Sequence, residues 1–195
     1  MSSRLRKLTV LLLSVAAVLA LSACGDSHTR VTTGTYAGES GQNAPYLNVG
    51  PLIYEVQLSR ELNPTNSEDA GYLQGLAPAE LALNTGEEWF GVFMQVYNTT
   101  SGDLPSSDDF SITDTQGNTY TPLAPPEGNP YAYRPGIVPA NSVVPAADTT
   151  AYFGPTQGAL LLFKIKVVSL DNRPLILRIV DPNDPTQSAS ATLDV

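Results

Sequence analysis

The chain of 195 residues has little of the chemistry that metal centres and nucleophilic enzymes need. It contains one cysteine, Cys24, and one histidine, His28. A single cysteine cannot form an intramolecular disulfide, and zinc sites need several cysteine or histidine ligands. His28 lies in a polar segment near the N-terminus, where no preorganised catalytic triad would form. These absences exclude a disulfide scaffold, a zinc centre and a hydrolase that depends on histidine.

Positive charge is also scarce. The chain has 10 lysine and arginine residues against 19 aspartate and glutamate residues, so its net charge is −9. Such a balance repels nucleic acid and anionic lipid head groups, and we expect neither as a partner. The acidic residues are scattered and never form a run, which is typical of a solvated surface. Sixteen prolines leave little room for long helices and favour short strands joined by turns.

The apolar run near the N-terminus is too short to span a membrane. Residues 8–21 contain 14 residues with two polar interruptions, whereas a spanning helix needs about 20. Three basic residues precede this run and small residues follow it, an order that predicts a secretory signal peptide over residues 1–23. Its removal would leave 172 residues with 7 basic and 19 acidic side chains, which is a net charge of −12.

The end of the predicted signal peptide reads Leu21-Ser22-Ala23-Cys24, which resembles the lipobox of bacterial lipoproteins. The resemblance implies that the Cys24 thiol receives a diacylglyceryl group, that cleavage occurs before Cys24, and that the new amino group is acylated. Two or more acyl chains give stable anchoring where a single chain is marginal. We therefore predict a lipid anchor on the extracytoplasmic face of the cell membrane. The alternative is a free cysteine beside an ordinary cleavage site.

The segment after the anchor is predicted to be a flexible tether. Residues 24–45 are rich in glycine, serine, threonine, asparagine and glutamine. A flexible coil of about 20 residues reaches roughly 25 Å, enough to lift a domain clear of the membrane. The remaining residues, 46–195, have the length of one domain that can bury a full core.

Short strand patterns follow one another through residues 46–195. Residues 52–59 alternate between two faces, as in a half-buried strand, and residues 89–97 are apolar on both faces, as in a central strand. One short helix is predicted at residues 78–83. Further strands are predicted at residues 110–113, 119–121, 161–168, 175–180 and 189–195. The pattern predicts an all-β domain built as an antiparallel β-sandwich.

A hairpin motif stands out in the second half of the domain. Val96–Asn98 closes an apolar strand, Asp109–Tyr120 reads Asp-Phe-Ser-Ile-Thr-Asp-Thr-Gln-Gly-Asn-Thr-Tyr, and Phe163 lies in a later strand. These features resemble the telokin-like, immunoglobulin-fold domains of unknown function found on bacterial lipoproteins. Residues 139–141 (Pro-Ala-Asn) depart from the Pro-Gly-Glu-like turn of that family. The resemblance covers roughly residues 87–180 and implies an immunoglobulin-like β-sandwich, but no activity.

Two groups of acidic residues are candidates for a calcium site and for a catalytic carboxylate pair. A calcium site has weak candidates within one stretch of loop and strand: Asp103, Asp108, Asp109 and Asp114. The stretch lacks EF-hand spacing, so solvated loop acids are the better interpretation, and we expect no metal and no cofactor. An envelope hydrolase would need a converging carboxylate pair. Glu87 and Glu88 are adjacent in a strand, where their side chains face opposite sides, so we expect no enzyme.

A rigid loop carries the aromatic residues that best suit a binding surface. Within Pro130–Pro135 lie Tyr131, Tyr133 and Arg134, and tyrosine and arginine are enriched at protein interfaces. The alternative is that one tyrosine packs on the edge of the sandwich. We predict a non-catalytic binding module at the cell envelope, whose partner is a protein or a cell-wall polymer. A carrier of a small ligand or a calcium ion is the alternative function, ahead of the hydrolase.

Overall fold

Twelve strands and four short helices build the part of the chain that the computed structural model describes, which is residues 29–30, 46–124 and 126–193. The strands are β1 (Thr29–Arg30), β2 (Tyr46–Val49), β3 (Leu52–Leu62), β4 (Glu87–Asn98), β5 (Leu104–Pro105), β6 (Asp109–Thr113), β7 (Thr119–Tyr120), β8 (Ile137–Val138), β9 (Ser142–Val144), β10 (Ala159–Lys166), β11 (Leu175–Val180) and β12 (Ser188–Leu193). The helices are α1 (Ser67–Tyr72), α2 (Pro78–Leu81), α3 (Thr150–Phe153) and α4 (Val168–Asp171).

The strands form two main sheets that pack face to face. The first sheet has the order β1-β12-β11-β6-β7. The second has the order β10-β4-β3-β2, with β9 also paired to β4. Neighbouring strands are antiparallel except for β1 and β12, and β5 pairs with β8 as a separate two-stranded ladder. The predicted immunoglobulin-like antiparallel β-sandwich is confirmed.

The main core lies between the two sheets. Alternate residues of β4, among them Phe90 and Val92, point inward and belong to one buried cluster with Leu177 and Ile179 of β11. Tyr54 lies in this core, and its hydroxyl accepts a hydrogen bond from the backbone N–H of Ser107 at 2.6 Å. Burial raises the pKa of Tyr54 to about 12. Period-two alternation therefore places the apolar side chains of both sheets between them.

A second, smaller core explains why β4 is apolar on both faces. The outward side chains Trp89 and Phe93 pack under the segment after β3, where α1 contributes Tyr72. The ring centroids of Tyr72 and Phe93 are 5.0 Å apart. The register of β3 against β4 shifts at a bulge between Val56 and Leu58, after which Leu58 pairs with Phe93 and faces outward. A bulge re-aims the side chains that follow it, so this half of the outer face is apolar.

An ion pair attaches α1 to the sheet. The guanidinium of Arg60 donates to both carboxylate oxygens of Asp69, at 2.6 and 3.1 Å. The backbone N–H of Asn63 donates to the same carboxylate at 2.7 Å. The Arg60 guanidinium also lies 5.9 Å from the ring centroid of Tyr72 and 6.0 Å from that of Phe93. Bidentate pairing and two ring contacts fix the helix against the outer face.

The hairpin predicted from strands at residues 110–113 and 119–121 is present. Strands β6 and β7 pair antiparallel, with Ile112 opposite Tyr120. The turn between them contains Gly117 at φ +84°, a conformation that favours glycine. Asp114 closes the turn by accepting hydrogen bonds from the backbone N–H groups of Gln116 and Asn118, both at 2.9 Å. These contacts give the motif a purely architectural role.

Several boundaries differ from the predictions. The helix predicted over residues 78–83 is α2, which ends at Leu81. The strand predicted to continue to Val168 ends at Lys166, because the backbone N–H of Val167 donates to the carbonyl of Gly86 and the chain then turns into α4. The last strand, predicted over residues 189–195, is described as Ser188–Leu193. Alternation alone does not locate the residue at which a ladder stops.

The predicted tether departs from a free coil at one point. Thr29–Arg30 pairs in parallel with Ser190 and Ala191 of β12. Backbone groups make this ladder, so a polar composition does not prevent it. The signal peptide, Cys24 and the rest of the tether lie outside the described residues. Among the helices of the described ranges, none is long and apolar enough to cross a lipid bilayer.

Candidate functional site

The loop predicted to be a binding surface faces inward for the most part. Tyr133 is only 2 % exposed, and its hydroxyl donates to the carbonyl of Ser107 at 2.9 Å. Tyr131 is half-buried against the ring of Tyr72, with centroids 4.9 Å apart. Arg134 is exposed and donates to the carbonyl of Pro126. The predicted surface of Tyr131, Tyr133 and Arg134 therefore needs correction at Tyr133, which is buried in the core, whereas Tyr131 is partly exposed and Arg134 is exposed.

A cavity of about 120 Å³ lies beneath this loop. Leu160 and Leu162 of β10, Phe110 of β6 and the prolines that flank the loop line it, with Asp108 among the few polar groups. The buried Asn129 beside it donates through its amide to the carbonyls of Tyr72 and Gln74, both at 2.9 Å. An apolar cavity of roughly 150 Å³ holds a molecule the size of benzene, so this one accommodates at most a small apolar group.

The four acidic residues considered for calcium have separate environments. Asp103 accepts a hydrogen bond from the backbone N–H of Ala140 at 2.9 Å, and Asp108 lines the cavity. Asp109 is exposed and pairs in register with Val180. Asp114 is buried in the hairpin turn. In residues 29–30, 46–124 and 126–193, no group of three or more histidine, cysteine, aspartate or glutamate side chains is placed to hold a metal ion.

The electrostatics of Asp114 reflect its structural task. Burial disfavours its charged form, but hydrogen bonds from Asn118, from the Ser169 hydroxyl at 2.7 Å and from the backbone outweigh that effect. Together they hold the pKa of Asp114 well below its usual range. The carboxylate is thus committed to holding the turn.

The adjacent acids Glu87 and Glu88 face opposite sides of β4. Glu87 accepts hydrogen bonds from the backbone and the side chain of Asn84, both at 2.8 Å, and these lower its pKa. Glu88 pairs with the core residue Ile165, and burial followed by the charge of Glu61 raises its pKa. The two side chains do not form a carboxylate pair.

The outer face of the second sheet contains a different candidate. Beyond the apolar half that α1 covers, register places Tyr46 of β2 opposite Glu55 of β3, and Glu55 opposite Gln95 of β4. Tyr97 of β4 lies two residues further along. Burial is the main cause that raises the pKa of Tyr97, followed by Glu55, and smaller contributions come from Tyr46 and from Tyr152 of α3. The tyrosine face is defined here as these groups together with the neighbouring ring of α3: Tyr46, Glu55, Gln95, Tyr97, Tyr152 and Phe153.

The tyrosine face combines exposed rings with a buried carboxylate. Tyr46 is 42 % exposed and Phe153 is 71 % exposed, whereas Glu55 is only 4 % exposed. The rings of Tyr46 and Tyr97 meet edge to face, with centroids 6.5 Å apart. Large exposed rings beside a buried polar group are typical of a binding surface rather than of a solvated sheet.

Among the residues whose side chains the structure describes, Glu55 has one hydrogen-bond donor and no cation. The hydroxyl of Tyr97 donates to its carboxylate at 2.5 Å and also contacts the side-chain amide of Gln95. Burial, and then the hydrogen bond and charge of Glu55, raise the pKa of Tyr97 well above its usual value. Both ion pairs found within the described ranges belong to Arg60, so no ion pair neutralises Glu55.

The comparisons with known proteins agree with the fold. Neither the known protein families nor the curated proteins include a match to the chain. YjhA of Bacillus subtilis has a similar structure, with a TM-score of 0.50 at 11 % sequence identity over 76 % of this chain and 96 % of YjhA. YcdA of the same species, a candidate lipoprotein, has a TM-score of 0.45 at 10 % identity. The match covers 78 % of this chain but only 39 % of YcdA.

An uncharacterised β-sandwich protein of Clostridium difficile is also similar, with a TM-score of 0.39 at 12 % identity over 76 % of this chain and 89 % of that protein. At these identities the likeness concerns the fold alone. The likeness to YjhA therefore supports the fold of this chain and no activity.

Proposed function

We propose that the protein is a lipid-anchored, non-catalytic binding module of the cell envelope, whose partner is a protein or a cell-wall polymer. The observation that carries this proposal is the tyrosine face. It presents exposed rings around buried polar groups on a rigid sheet, and such amphipathic rings dominate the energetics of many interfaces. Surface complementarity, without bond making or breaking, is the mechanism.

The positions of the acidic residues support a role without catalysis. Asp69 is bonded to Arg60 and to a backbone N–H, and Asp114 is bonded within its turn, so both carboxylates are engaged in structural contacts. Glu87 and Glu88 lie on opposite faces of β4. Carboxylate catalysis needs two such groups on either side of one scissile bond.

The anchor in this proposal is a lipid on Cys24, and the telokin-like resemblance of the hairpin agrees with a lipoprotein. Replacement of Cys24 by serine should release the protein from membranes or leave the precursor uncut, because the thiol is the atom that receives the lipid. Fractionation of cells and the mass of the N-terminal peptide measure this. Normal processing with unchanged membrane retention would overturn the anchor.

Binding through the tyrosine face is tested by site-specific crosslinking in intact cells. The photoreactive analogue benzoylphenylalanine replaces Phe153 in the full chain, which carries a C-terminal tag so that the N-terminus is processed normally. The matched control replaces Leu81, which is 42 % exposed on α2, away from this face. We expect an adduct from position 153 and none from position 81.

The nature of the adduct identifies the class of partner. An adduct that protease digests is a protein, and one that muramidase shortens is a cell-wall polymer. Equal labelling at both positions, or none at either, would contradict a binding role for the tyrosine face.

The cavity beneath the Pro130–Pro135 loop favours a second candidate, a carrier of a small apolar ligand. Its volume of about 120 Å³ is below the roughly 300 Å³ at which ligand pockets begin, which ranks this function second. Benzene, the smallest aromatic probe, is suitable, since a ligand that binds only the folded state raises the melting temperature as its concentration rises. A melting temperature that does not change with benzene would reject this candidate.

A further inference from the structure

We propose that the tyrosine face binds a cationic side chain, the ammonium of a lysine or the guanidinium of an arginine, on a partner protein, with Glu55 as its counter-charge. This inference rests on the proposed binding function and names the chemistry that the partner presents. Three features of the described residues lead to it: the isolation of Glu55, the rings beside it, and the charge of the chain.

The first feature is that Glu55 has fewer hydrogen-bond partners within the described ranges than Asp69, Asp114 or Asp181, which are buried to a similar extent. Asp69 has Arg60 and a backbone N–H, and Asp114 has two backbone N–H groups and a hydroxyl. Asp181 accepts from the backbone N–H groups of residues 183 and 184. Glu55 has only the hydroxyl of Tyr97. A buried carboxylate without a cation or several donors is unfavourable, and a partner that supplies a cation would remove that penalty.

The second feature is the set of rings around Glu55. Aromatic rings attract a cation that lies within about 6 Å of the ring centroid. Tyr46 lies opposite Glu55 in register, and the centroid of Tyr97 is 6.5 Å from that of Tyr46. Tyr46 is an exposed side chain on the terminal strand of the sheet, so a change of its rotamer exposes the carboxylate to an incoming group.

The covered half is the part of the outer face of the second sheet that lies under α1. It already combines a cation, aromatic rings and a carboxylate. There the cation is Arg60, which lies over two rings and pairs with the carboxylate of Asp69. The tyrosine face has the carboxylate and the rings, but its outward strand residues include no lysine or arginine: Tyr46, Asn48, Ile53, Glu55, Gln95, Tyr97 and Val143. The tyrosine face thus has no cation on these strand residues, and a partner would supply one.

The third feature is the charge of the whole chain. Its net charge of −9, or −12 after the predicted cleavage, attracts cationic groups and repels anionic ones over several ångströms. Charge complementarity therefore selects a basic protein surface over an anionic polymer as the partner. An arginine suits the site best, because its planar guanidinium stacks on rings and pairs with a carboxylate at the same time.

The test measures binding of one peptide pair to the full mature chain, purified from membranes in a neutral detergent. The probes are acetyl-Gly-Arg-Gly-amide and the same peptide with citrulline, a neutral isostere of arginine. We expect the arginine peptide to bind and the citrulline peptide to bind at least about 10-fold more weakly, as measured by calorimetric titration. Equal affinity for the two peptides would overturn the proposal.

Variants of the protein separate the site from general electrostatics. Glu55→Gln should weaken binding of the arginine peptide about 10-fold, whereas Asp148→Asn, which removes the same charge from an exposed position, should change it less than about 2-fold. Tyr46→Ala should weaken binding roughly 2- to 5-fold and keeps the proposal testable if Glu55→Gln does not fold. Equal losses in Glu55→Gln and Asp148→Asn, or full affinity in Tyr46→Ala, would contradict it.

The two proposals fail in different ways. A protease-sensitive crosslink from position 153 together with equal binding of both peptides would keep the binding module and reject the cationic ligand. A crosslink that muramidase shortens would reject a protein as the partner. If position 153 gives no crosslink, the proposed binding function itself is contradicted.

Discussion

The two halves of the outer face of the second sheet have similar chemistry but opposite exposure. In the covered half, Trp89 and Phe93 are at most 1 % exposed, and Arg60 neutralises Asp69 above them. In the tyrosine face, Tyr46 and Phe153 remain open to solvent. The difference comes from the connections: the segment between β3 and β4 folds α1 back over one half only. One half of the face thus completes its contacts within the chain, whereas the other leaves exposed rings, which we propose contact a partner.

The largest effect is expected from opening the covered half. Trp89→Ala removes a ring that is 1 % exposed and packed under α1, so we expect the free energy of unfolding to fall by about 3–5 kcal/mol. Phe153→Ala is the matched control on the tyrosine face and should change it by less than about 0.5 kcal/mol. Urea unfolding measures both variants. Similar losses in the two would mean that the halves do not differ as described.

The ion pair that holds α1 gives the second prediction. Asp69→Asn breaks the contacts of a buried carboxylate with Arg60 and Asn63, and we expect a loss of about 2–3 kcal/mol. The exposed variant Asp148→Asn should be neutral within about 0.5 kcal/mol. Urea unfolding at neutral pH measures the difference.

The same carboxylate predicts a dependence on pH. Burial alone would raise the pKa of Asp69, but Arg60 and the N–H of Asn63 outweigh it and lower the pKa. A lowered pKa means that Asp69 stabilises the fold fully above its unfolded pKa of about 4. This contribution declines below that value and is lost as the pH falls through the lowered pKa of the folded state. Asp69→Asn should therefore lose less stability than the native chain between about pH 5 and about pH 3. An identical acid profile would contradict the role of the pair.

Much of the scaffold follows from local patterns in the sequence. The strand predicted at residues 175–180 is β11 without change, and the hairpin around Gly117 has the predicted turn. Both depend on neighbours along the chain, through alternation and through turn chemistry. The apolar character of β4 on both faces also has its predicted cause, since each face is buried in a separate core.

The candidate site could not be read in the same way. Tyr46, Glu55 and Gln95 come together because β2, β3 and β4 are neighbours, and the pattern within one strand does not show which strands pair with it. The bulge after Val56 determines which half of β3 is apolar on its outer side. No residue type at this position predicts a bulge. Tyr131 and Tyr133 were predicted to lie on the surface, but Tyr133 is buried and Tyr131 is half-buried, for a related reason. Their loop has the composition of a binding loop, but it covers the edge strand β10, with the backbone N–H of Tyr133 donating to the carbonyl of Leu160.

The next prediction concerns the hydrogen bond between Tyr97 and Glu55 in the tyrosine face. Tyr97→Phe removes the one donor to Glu55 and leaves a buried carboxylate without a partner, so we expect a loss of about 1–2 kcal/mol. In a Glu55→Gln background the same change should cost less, because a neutral amide is less costly to leave unpaired. The coupling in this double-mutant cycle is the measurement. Additive losses would show that the two side chains do not act together.

The smallest effect is expected at the edge of the tyrosine face. Tyr46→Ala should change the free energy of unfolding by less than about 0.5 kcal/mol, because the side chain is 42 % exposed on a terminal strand. Tyr72→Ala, its counterpart on the covered half at 1 % exposure, should lower it by about 3 kcal/mol or more. A Tyr46→Ala variant that loses more than about 1 kcal/mol would make this tyrosine a structural cover for Glu55. A neutral Tyr46→Ala variant that binds the arginine peptide more weakly would mean that the exposed ring serves a partner rather than the fold.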